Sequence, residues 1–263
     1  MHKLNDRDLL HQEYVVNRKH HKVIAEELGV GLNTVIRALE RFGLKKADRF
    51  PEQFTLQQKS ALYGSLLGDA NLTIQPGGTN ACLRMEHSIK QTAWLKWKFD
   101  TFKPWINHDE PSLYASRMTK GINCPSIKFC TVATPLFTEA YHMFYKDNGK
   151  IVSPEILKRI DALALAVWYQ DDGSFSHNIT NNQSILKLAT NGFPYAEQLF
   201  VIDWFKHQYG LEFYIAKDNQ SNNKTTYHLN LRPKDFDAFI NIIRPHVIPE
   251  MAYKLDPHAK ASF

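Results

Sequence analysis

Ala164–Gly173 reads ALAVWYQDDG, and Ala61–Ala70 reads ALYGSLLGDA. Each is a short apolar run that stops abruptly at carboxylate. Laid over one another without gaps, Leu62–Ala70 falls on Leu165–Gly173, and an offset of 103 residues carries Asp69 onto Asp172. Such a run, closed by Asp and a small residue, predicts a buried helix whose C-terminal end meets a polar site. Carboxylate is out of place there, because a helix C-terminus carries partial negative charge. A cation removes the conflict, and Mg2+ takes oxygen ligands from one or two carboxylates together with phosphate and water. The plain alternative is that each Asp merely ends a buried helix, but Asp is a poor C-cap and the coincidence occurs twice.

The segments after each run keep the same order. After the first comes a Pro/Gly-rich turn, Ile74–Asn80, then an alternating segment with Leu83, Met85 and His87 on one side and Arg84, Glu86 and Ser88 on the other. Trp94, Leu95, Trp97, Phe99 and Phe102 predict an amphipathic helix. Tyr114–Met118 and Ser126–Thr131 predict a hairpin with Ile127, Phe129 and Thr131 inward and Lys128 outward, and Pro135–Tyr145 a closing helix. After the second run come a polar loop, Ser174–Asn182, a strand, Ser184–Thr190, and a helix, Tyr195–Tyr209. Strands Glu212–Lys217 and Thr225–Arg232 and a helix, Phe236–Ile243, complete the copy. In the last strand Tyr227, Leu229 and Leu231 face one way and His228, Asn230 and Arg232 the other. Helix, hairpin, helix, hairpin, helix, twice over, is an internal duplication.

These runs resemble the paired signature helices of the LAGLIDADG homing endonucleases in their single-chain, two-repeat form. WYQDDGS (Trp168–Ser174) and YGSLLGDANL (Tyr63–Leu72) carry the match. It extends from about Phe54 to about Leu255 through MEHSIKQTAWLKWK (Met85–Lys98), LATNGF (Leu188–Phe193) and YKL (Tyr253–Leu255). The resemblance implies an α/β (α+β) fold of two pseudo-symmetric repeats with saddle-shaped antiparallel sheets. It implies a monomeric, Mg2+-dependent, site-specific endonuclease for double-stranded DNA, of the kind tied to intron or intein mobility. It assigns catalysis and metal binding to Asp69 and Asp172, with the backbone carbonyls of Gly68 and Asp171 near the metal. Asp172 is preferred over Asp171 because it alone aligns with Asp69.

The family often has a basic residue near each metal centre. Lys128 and Arg232, outward near the ends of matching strands, are the candidates, and a solvated strand charge or a phosphate contact is an equal alternative. Arg84, Glu86, Ser88, Lys187, Thr190, His228 and Asn230 are candidate DNA contacts. His87 is either catalytic or packed. Close approach of the two helices needs small residues. The first run supplies Gly64 and Gly68 with Ser65 between, whereas the second has Val167 and Asp171 there, with Ala164 and Ala166 nearby.

Composition is consistent with this. A chain of 263 residues with 43% hydrophobic residues builds a core, and a net charge of +5 permits a nucleic-acid partner. No run approaches a membrane span, and MHKLNDRDLL lacks an apolar signal-peptide core. Three cysteines without a CxxC, Cys82, Cys124 and Cys130, point to a reduced, cytoplasmic protein and away from a zinc site.

Residues 1–49 hold 10 Lys+Arg against 7 Asp+Glu, so +3 of the +5 lies there. Val23, Ile24 and Leu28 share one helical face, Gly29 stops that helix, and Val35, Ile36 and Leu39 bury a second one. Asn33, Thr34, Arg37 and Arg41 remain outside, the residue types that read base edges from a helix in the major groove. This stretch resembles the helix-turn-helix of resolvases and many bacterial regulators; a plain helical hairpin with solvated charge is the alternative. Gly43–Phe54 reads as a linker. The domains are therefore 1–49, a small all-α helix-turn-helix; 50–150, the first repeat; and 151–263, the second. Two other functions compete. One is a LAGLIDADG-fold binder that does not cleave, such as an RNA maturase or transcription regulator. The other is a helix-turn-helix regulator with a small-molecule sensing domain.

Overall fold

Gly29, at φ +65°, ends one helix and starts a turn that only glycine makes without strain. It belongs to the first of two units, Met1–Gln53 and Phe54–Phe263, in a computed structural model. The structure describes residues 3–114, 118, 119, 122–147, 149–219 and 225–259. In the first unit α1 (Arg7–His11) is capped by Asp6, whose side chain accepts from the Asp8 and Leu9 N–H groups, and runs on into a wider turn, Gln12–Val16. Next come α2 (His21–Leu28) and α3 (Leu32–Arg41). Leu10, Tyr14, Ile24, Ala25, Val35 and Leu39 close a small core. Val23, expected beside Ile24 in that core, is exposed instead. Residues 43–54 are not a bare linker. Leu44 and Phe50 are buried, and the Arg18 guanidinium lies 5.4 Å from the Phe50 ring centre, so packing carries the first unit to Gln53.

In the second unit Thr55 opens α4 (Leu56–Leu67) with a capping box: its hydroxyl accepts from Gln58 N–H while Gln58 Oε1 accepts from Thr55 N–H. The first repeat continues with β1 (Asn71–Ile74), β2 (Ala81–Ser88), α5 (Thr92–Phe102) and β3 (Ser112–Tyr114). Two short strands, β4 (Met118–Thr119) and β5 (Ile122–Asn123), pair with each other before β6 (Ser126–Cys130) and α6 (Pro135–Phe144). Part of the expected strand Tyr114–Met118 lies outside the described residues. A second short pair, β7 (Tyr145–Lys146) and β8 (Gly149–Lys150), and α7 (Pro154–Leu157) lead into α8 (Ala162–Asp172). The second repeat then runs β9 (Gly173–Asn178), β10 (Gln183–Leu188), α9 (Tyr195–Tyr209), β11 (Phe213–Asn219), β12 (Thr225–Leu231) and α10 (Phe236–Ile243).

Two four-stranded antiparallel sheets result, β1-β2-β6-β3 and β9-β10-β12-β11, the same order twice. The register fixes the equivalences. Asn71, two residues past Asp69, pairs with Arg84, and Ser174, two residues past Asp172, pairs with Lys187. The offset of 103 therefore holds through β2 and β10, and it also carries the first residue of α5, Thr92, onto Tyr195 of α9. One expected loop was wrong: Ser174–Asn178, read within a polar loop, is β9. It is an edge strand paired on one side only, and its Ser and His residues alternate with partial exposure, so no apolar period marks it.

The helices α4 and α8 run through the middle and are buried on every side, Ser60–Leu67 in one and Ala164–Gln170 in the other. Their approach is set by glycine. A Cβ at Gly64 would fall on the Ala164 carbonyl oxygen and within 2.8 Å of Val167 Cβ. A Cβ at Gly68 would lie 2.6 Å from Asp171 Cβ. One helix therefore supplies the close approach for both. Gly64→Val should destabilise the second unit by about 3 kcal/mol or more, since its backbone neighbours cannot give way. Gly192→Ala, where nothing lies within 4 Å, should change stability by only a few tenths. Denaturant melts of both variants check this.

Candidate active site

Because α4 and α8 meet side by side, their C-terminal ends open on the same place. Lysine answers each negative end. Lys150 Nζ donates to the Gly68 carbonyl at 2.6 Å. Lys254 Nζ donates to the Gln170 carbonyl at 2.6 Å and the Asp171 carbonyl at 3.1 Å. A cation at a helix C-terminus is the favourable arrangement. Lys150 follows the first repeat's closing helix and Lys254 the second's. Gly173 must be small, since a Cβ there would fall on the Tyr169 ring.

Asp171 is not a spare ligand. Its carboxylate is fully buried, and Lys98, also fully buried, donates to Oδ1 at 2.5 Å and Oδ2 at 2.8 Å. Trp94 Nε1 donates to Oδ1 at 2.7 Å, and the Asp69 N–H reaches Oδ2 at 3.3 Å. His87 lies between this pair and Asp69, with Nε2 3.1 Å from Lys98 Nζ and Nδ1 3.5 Å from Asp69 Oδ2. Thus α8 of the second repeat is keyed into α5 and β2 of the first. Removing one partner of such a buried pair costs about 3–5 kcal/mol.

The charges shift one another. Burial would raise Asp171, but the Lys98 charge, His87 and the Lys98 and Trp94 hydrogen bonds outweigh it and hold the carboxyl below its usual value. Asp69 is raised, first by partial desolvation and then by the Asp171 charge, despite an edge open to solvent. Asp172 is pushed up to about 8 by burial and by the charges of Asp69 and Asp171. Burial drives His87 down to about 4, with the Lys98 charge acting the same way, so the ring is neutral. Burial lowers Lys150 and Lys254 as well. Two carboxylates held above their usual range by burial and neighbouring negative charge suit a hard divalent cation, while the Gly68 and Asp171 carbonyls expected near it already accept from Lys150 and Lys254. Asp69, His87 and Asp171 also come within 4.8 Å of one another, but Lys98 and Trp94 already occupy Asp171.

The other candidates fall out differently. An open groove of about 610 Å³ beside Asp69 is lined by Asn71, Arg84, Glu86, Lys128 and Tyr145, among others. Lys128 Nζ lies 3.9 Å from the Tyr114 ring centre, and the Arg232 guanidinium 4.5 Å from that of Tyr214. They are not matching positions. Cys130 and Asn230 pair with Arg84 and Lys187 respectively, so the residue matching Lys128, two places earlier, is His228. His228 and Asn230 are themselves buried, as are Leu229 and Leu231, so the C-terminal half of β12 has no open polar face. His228 Nδ1 sits 2.9 Å from Asp218, which also takes Lys187 at 3.1 Å. Thr190 is fully buried with its hydroxyl on Gln198 Oε1, inside the core and away from any DNA surface. Glu86 accepts from Ser126 at 2.6 Å, and the Ser88 side chain caps the turn after β2. In the first unit Asn33, Thr34 and Arg37 are exposed on α3, while Arg41 is tied to the Leu4 carbonyl and Asn5. The sequence reading missed Lys98, Lys150 and Lys254. YKL already contained Lys254, and the mismatch of carboxylate with a helix C-terminus was the signal to look for such a cation.

Asp172 supplies a pH test. Its folded pKa of about 8 lies above the ordinary 3.8, so its contribution to stability is present below the lower value and is lost as pH rises through the higher one. With chelator present, wild-type Tm should fall relative to Asp172→Asn between about pH 4 and about pH 8. Parallel Tm curves for the two proteins would overturn the assignment.

Comparison with known proteins agrees with this architecture. The model of the LAGLIDADG DNA endonuclease family matches residues 59–239. An uncharacterised protein of Methanocaldococcus jannaschii is 26% identical over 252 residues, covering 94% of each chain. A probable intron-encoded endonuclease of Wickerhamomyces canadensis is 26% identical over 200 residues, covering 75% of this chain and 83% of its own. A cytochrome b mRNA maturase of Debaryomyces hansenii is 25% identical over 224 residues, covering 84% and 82%. The homing endonuclease I-WcaI, solved bound to its DNA recognition sequence, shares the fold with TM-score 0.69 at 22% identity, over 88% of this chain and 96% of that one. With two copies of one helix-and-sheet order meeting at paired aspartates, and a family model spanning both, the chain belongs to the LAGLIDADG DNA endonuclease family.

Proposed function

We propose that this chain is a site-specific, metal-dependent endonuclease for double-stranded DNA. The observation that carries the reading is that α4 packs on α8 so that the Asp69 charge reaches Asp172 and raises it, with a lysine on each adjoining helix end. Asp69 and Asp172 would hold divalent metal, Mg2+ in the cell, with the Gly68 and Asp171 carbonyls close by. Bound there, the cation would stabilise charge on the attacking and leaving oxygens of a phosphodiester. Lys150 and Lys254 bring positive charge to the same two places, where it orients a phosphate or water and offsets charge developing on phosphorus. Arg84, Lys128 and Lys187 lie on the sheets as DNA contacts, Lys128 on the wall of the groove that contains Asp69. The relatives named for RNA maturation make binding without cutting the competing outcome, and retention of both aspartates favours cutting.

The target is found by incubating the protein and Mg2+ with a randomised duplex library and sequencing the cut ends. On a supercoiled plasmid bearing that target, Asp69→Asn and Asp172→Asn should each abolish linear product while still binding. Lys150→Met and Lys254→Met should lower the rate by about 10²-fold or more with little change in affinity, the pattern of groups acting on the transition state. Linearisation by either folded Asn variant would remove that residue from the site.

The first unit, by the same proposal, is a helix-turn-helix that docks α3 in the major groove through Asn33, Thr34 and Arg37. It adds a second binding module on one chain, so its contribution is an effective concentration. Deleting residues 1–53 should raise Kd on the order of 10²-fold at physiological salt and leave cutting chemistry intact at saturating protein. Unchanged affinity, measured by titration, would return the unit to a plain helical hairpin.

A further inference from the structure

The two halves match in strand order, yet the surroundings of the two aspartates differ. Around Asp69 stand His87, Lys98, Trp94 and Asp171. The register equivalent of His87 is Thr190, three residues beyond the matched pair Arg84 and Lys187. The same offset of 103 places Val201 at Lys98, Glu197 at Trp94 and Gly68 at Asp171. Val201 is fully buried and apolar, and the Thr190 hydroxyl is spent on Gln198. Every polar member of the network is thus replaced at the Asp172 centre.

The network also fixes a proton. Lys98 is held as an ammonium by Asp171, with both carboxylate oxygens within 2.8 Å. An ammonium has donors and no acceptor, so at 3.1 Å it donates to His87 Nε2. The ring's own hydrogen then sits on Nδ1, which faces Asp69 Oδ2 at 3.5 Å. The imidazole is 5% exposed and cannot turn freely to solvent. A chain of contacts runs Asp171, Lys98, His87, Asp69, its last link the 3.5 Å approach of Nδ1 to Asp69 Oδ2, with the Gln91 side chain as a further hydrogen-bond partner of the ring. Asp69 is further fixed from its main chain, since its N–H lies against Asp171 Oδ2 at 3.3 Å.

We propose that His87 is a positioning residue for one of the two strand cuts: it orients the Asp69 carboxylate, and the Asp172 centre works without an equivalent. This rests on the endonuclease reading. Its consequence is that the two cuts respond separately to position 87. The residue touches neither DNA nor the reacting atoms and acts through Asp69. Misplacing a reacting group by about 1 Å is enough to cost about 10²-fold in rate.

The test uses full-length protein, saturating Mg2+ and the selected target with each strand end-labelled, under single-turnover conditions. His87→Leu fills the space without a donor, and His87→Gln keeps a polar atom near Nε2 but loses the donor aimed at Asp69. Both should slow one strand by at least 10-fold and leave the other within about 2-fold, so duplex cut in one strand accumulates before duplex cut in both. His87→Asn places an amide nitrogen where Nδ1 was and should restore the balance between strands to within a few-fold. Thr190→Val should produce no strand bias. If the Leu variant does not fold, the Gln and Asn pair carries the test. Equal slowing of both strands, or slowing of neither, in a variant with wild-type melting would overturn the inference alone. A wild-type chain that cuts neither strand would overturn the endonuclease reading and the inference with it.

Discussion

Two negative helix ends and three aspartates share one small volume, and three lysines hold them there. Lys98 neutralises Asp171, Lys150 binds the end of α4, and Lys254 binds the end of α8. None of this forms unless the helices touch, and they touch because Gly64 lets the Ala164 carbonyl in. The electrostatics and the packing are therefore one constraint. A buried pair such as Lys98 and Asp171 is no net gain over an apolar pair, but breaking it costs about 3–5 kcal/mol out of a total of about 5–15. The pair specifies which faces meet. It also leaves Asp69 and Asp172 as the carboxylates not matched by direct ion pairing, which is why both are driven upward.

The elements legible in the sequence were those with a local period. β2 alternates from Leu83 to Ser88, and α9 runs Tyr195–Tyr209 and α10 runs Phe236–Ile243 as expected, because apolar spacing and terminating residues are local signals. The two aspartates were legible because an alignment of the chain with itself needs no structure. The lysines were not. Lys98 lies among Trp94, Leu95 and Phe99 and reads as the polar side of an amphipathic helix, yet it is fully buried, because its partner stands 73 residues away. Lys150 ends a two-residue strand with no period at all. β9 was hidden by polar residues on an edge, and the inward Thr190 by a hydroxyl that only Gln198 explains.

The polar faces of the two sheets are built differently. On the second, Asp218 accepts from Lys187 and Asn191, with His228 Nδ1 2.9 Å away. On the first, Arg84 and Lys128 line an open groove beside Asp69. A duplex lying along both would meet preorganised, partly neutralised donors on one half and more open cations on the other. Recognition by such a surface does not require the two halves of the target to be related by a dyad.

The link from Asp171 to Lys98 bears on the ancestry of the chain as well as its chemistry. A symmetric dimer of the first half would set Gly68 against Gly68 and strand two buried ammonium groups with no counter-ion. A dimer of the second half would bury two copies of Asp171 against Val201, with nothing to neutralise them. Each half has become the other's missing charge. Neither half can therefore be paired with a copy of itself without leaving buried charge unmatched.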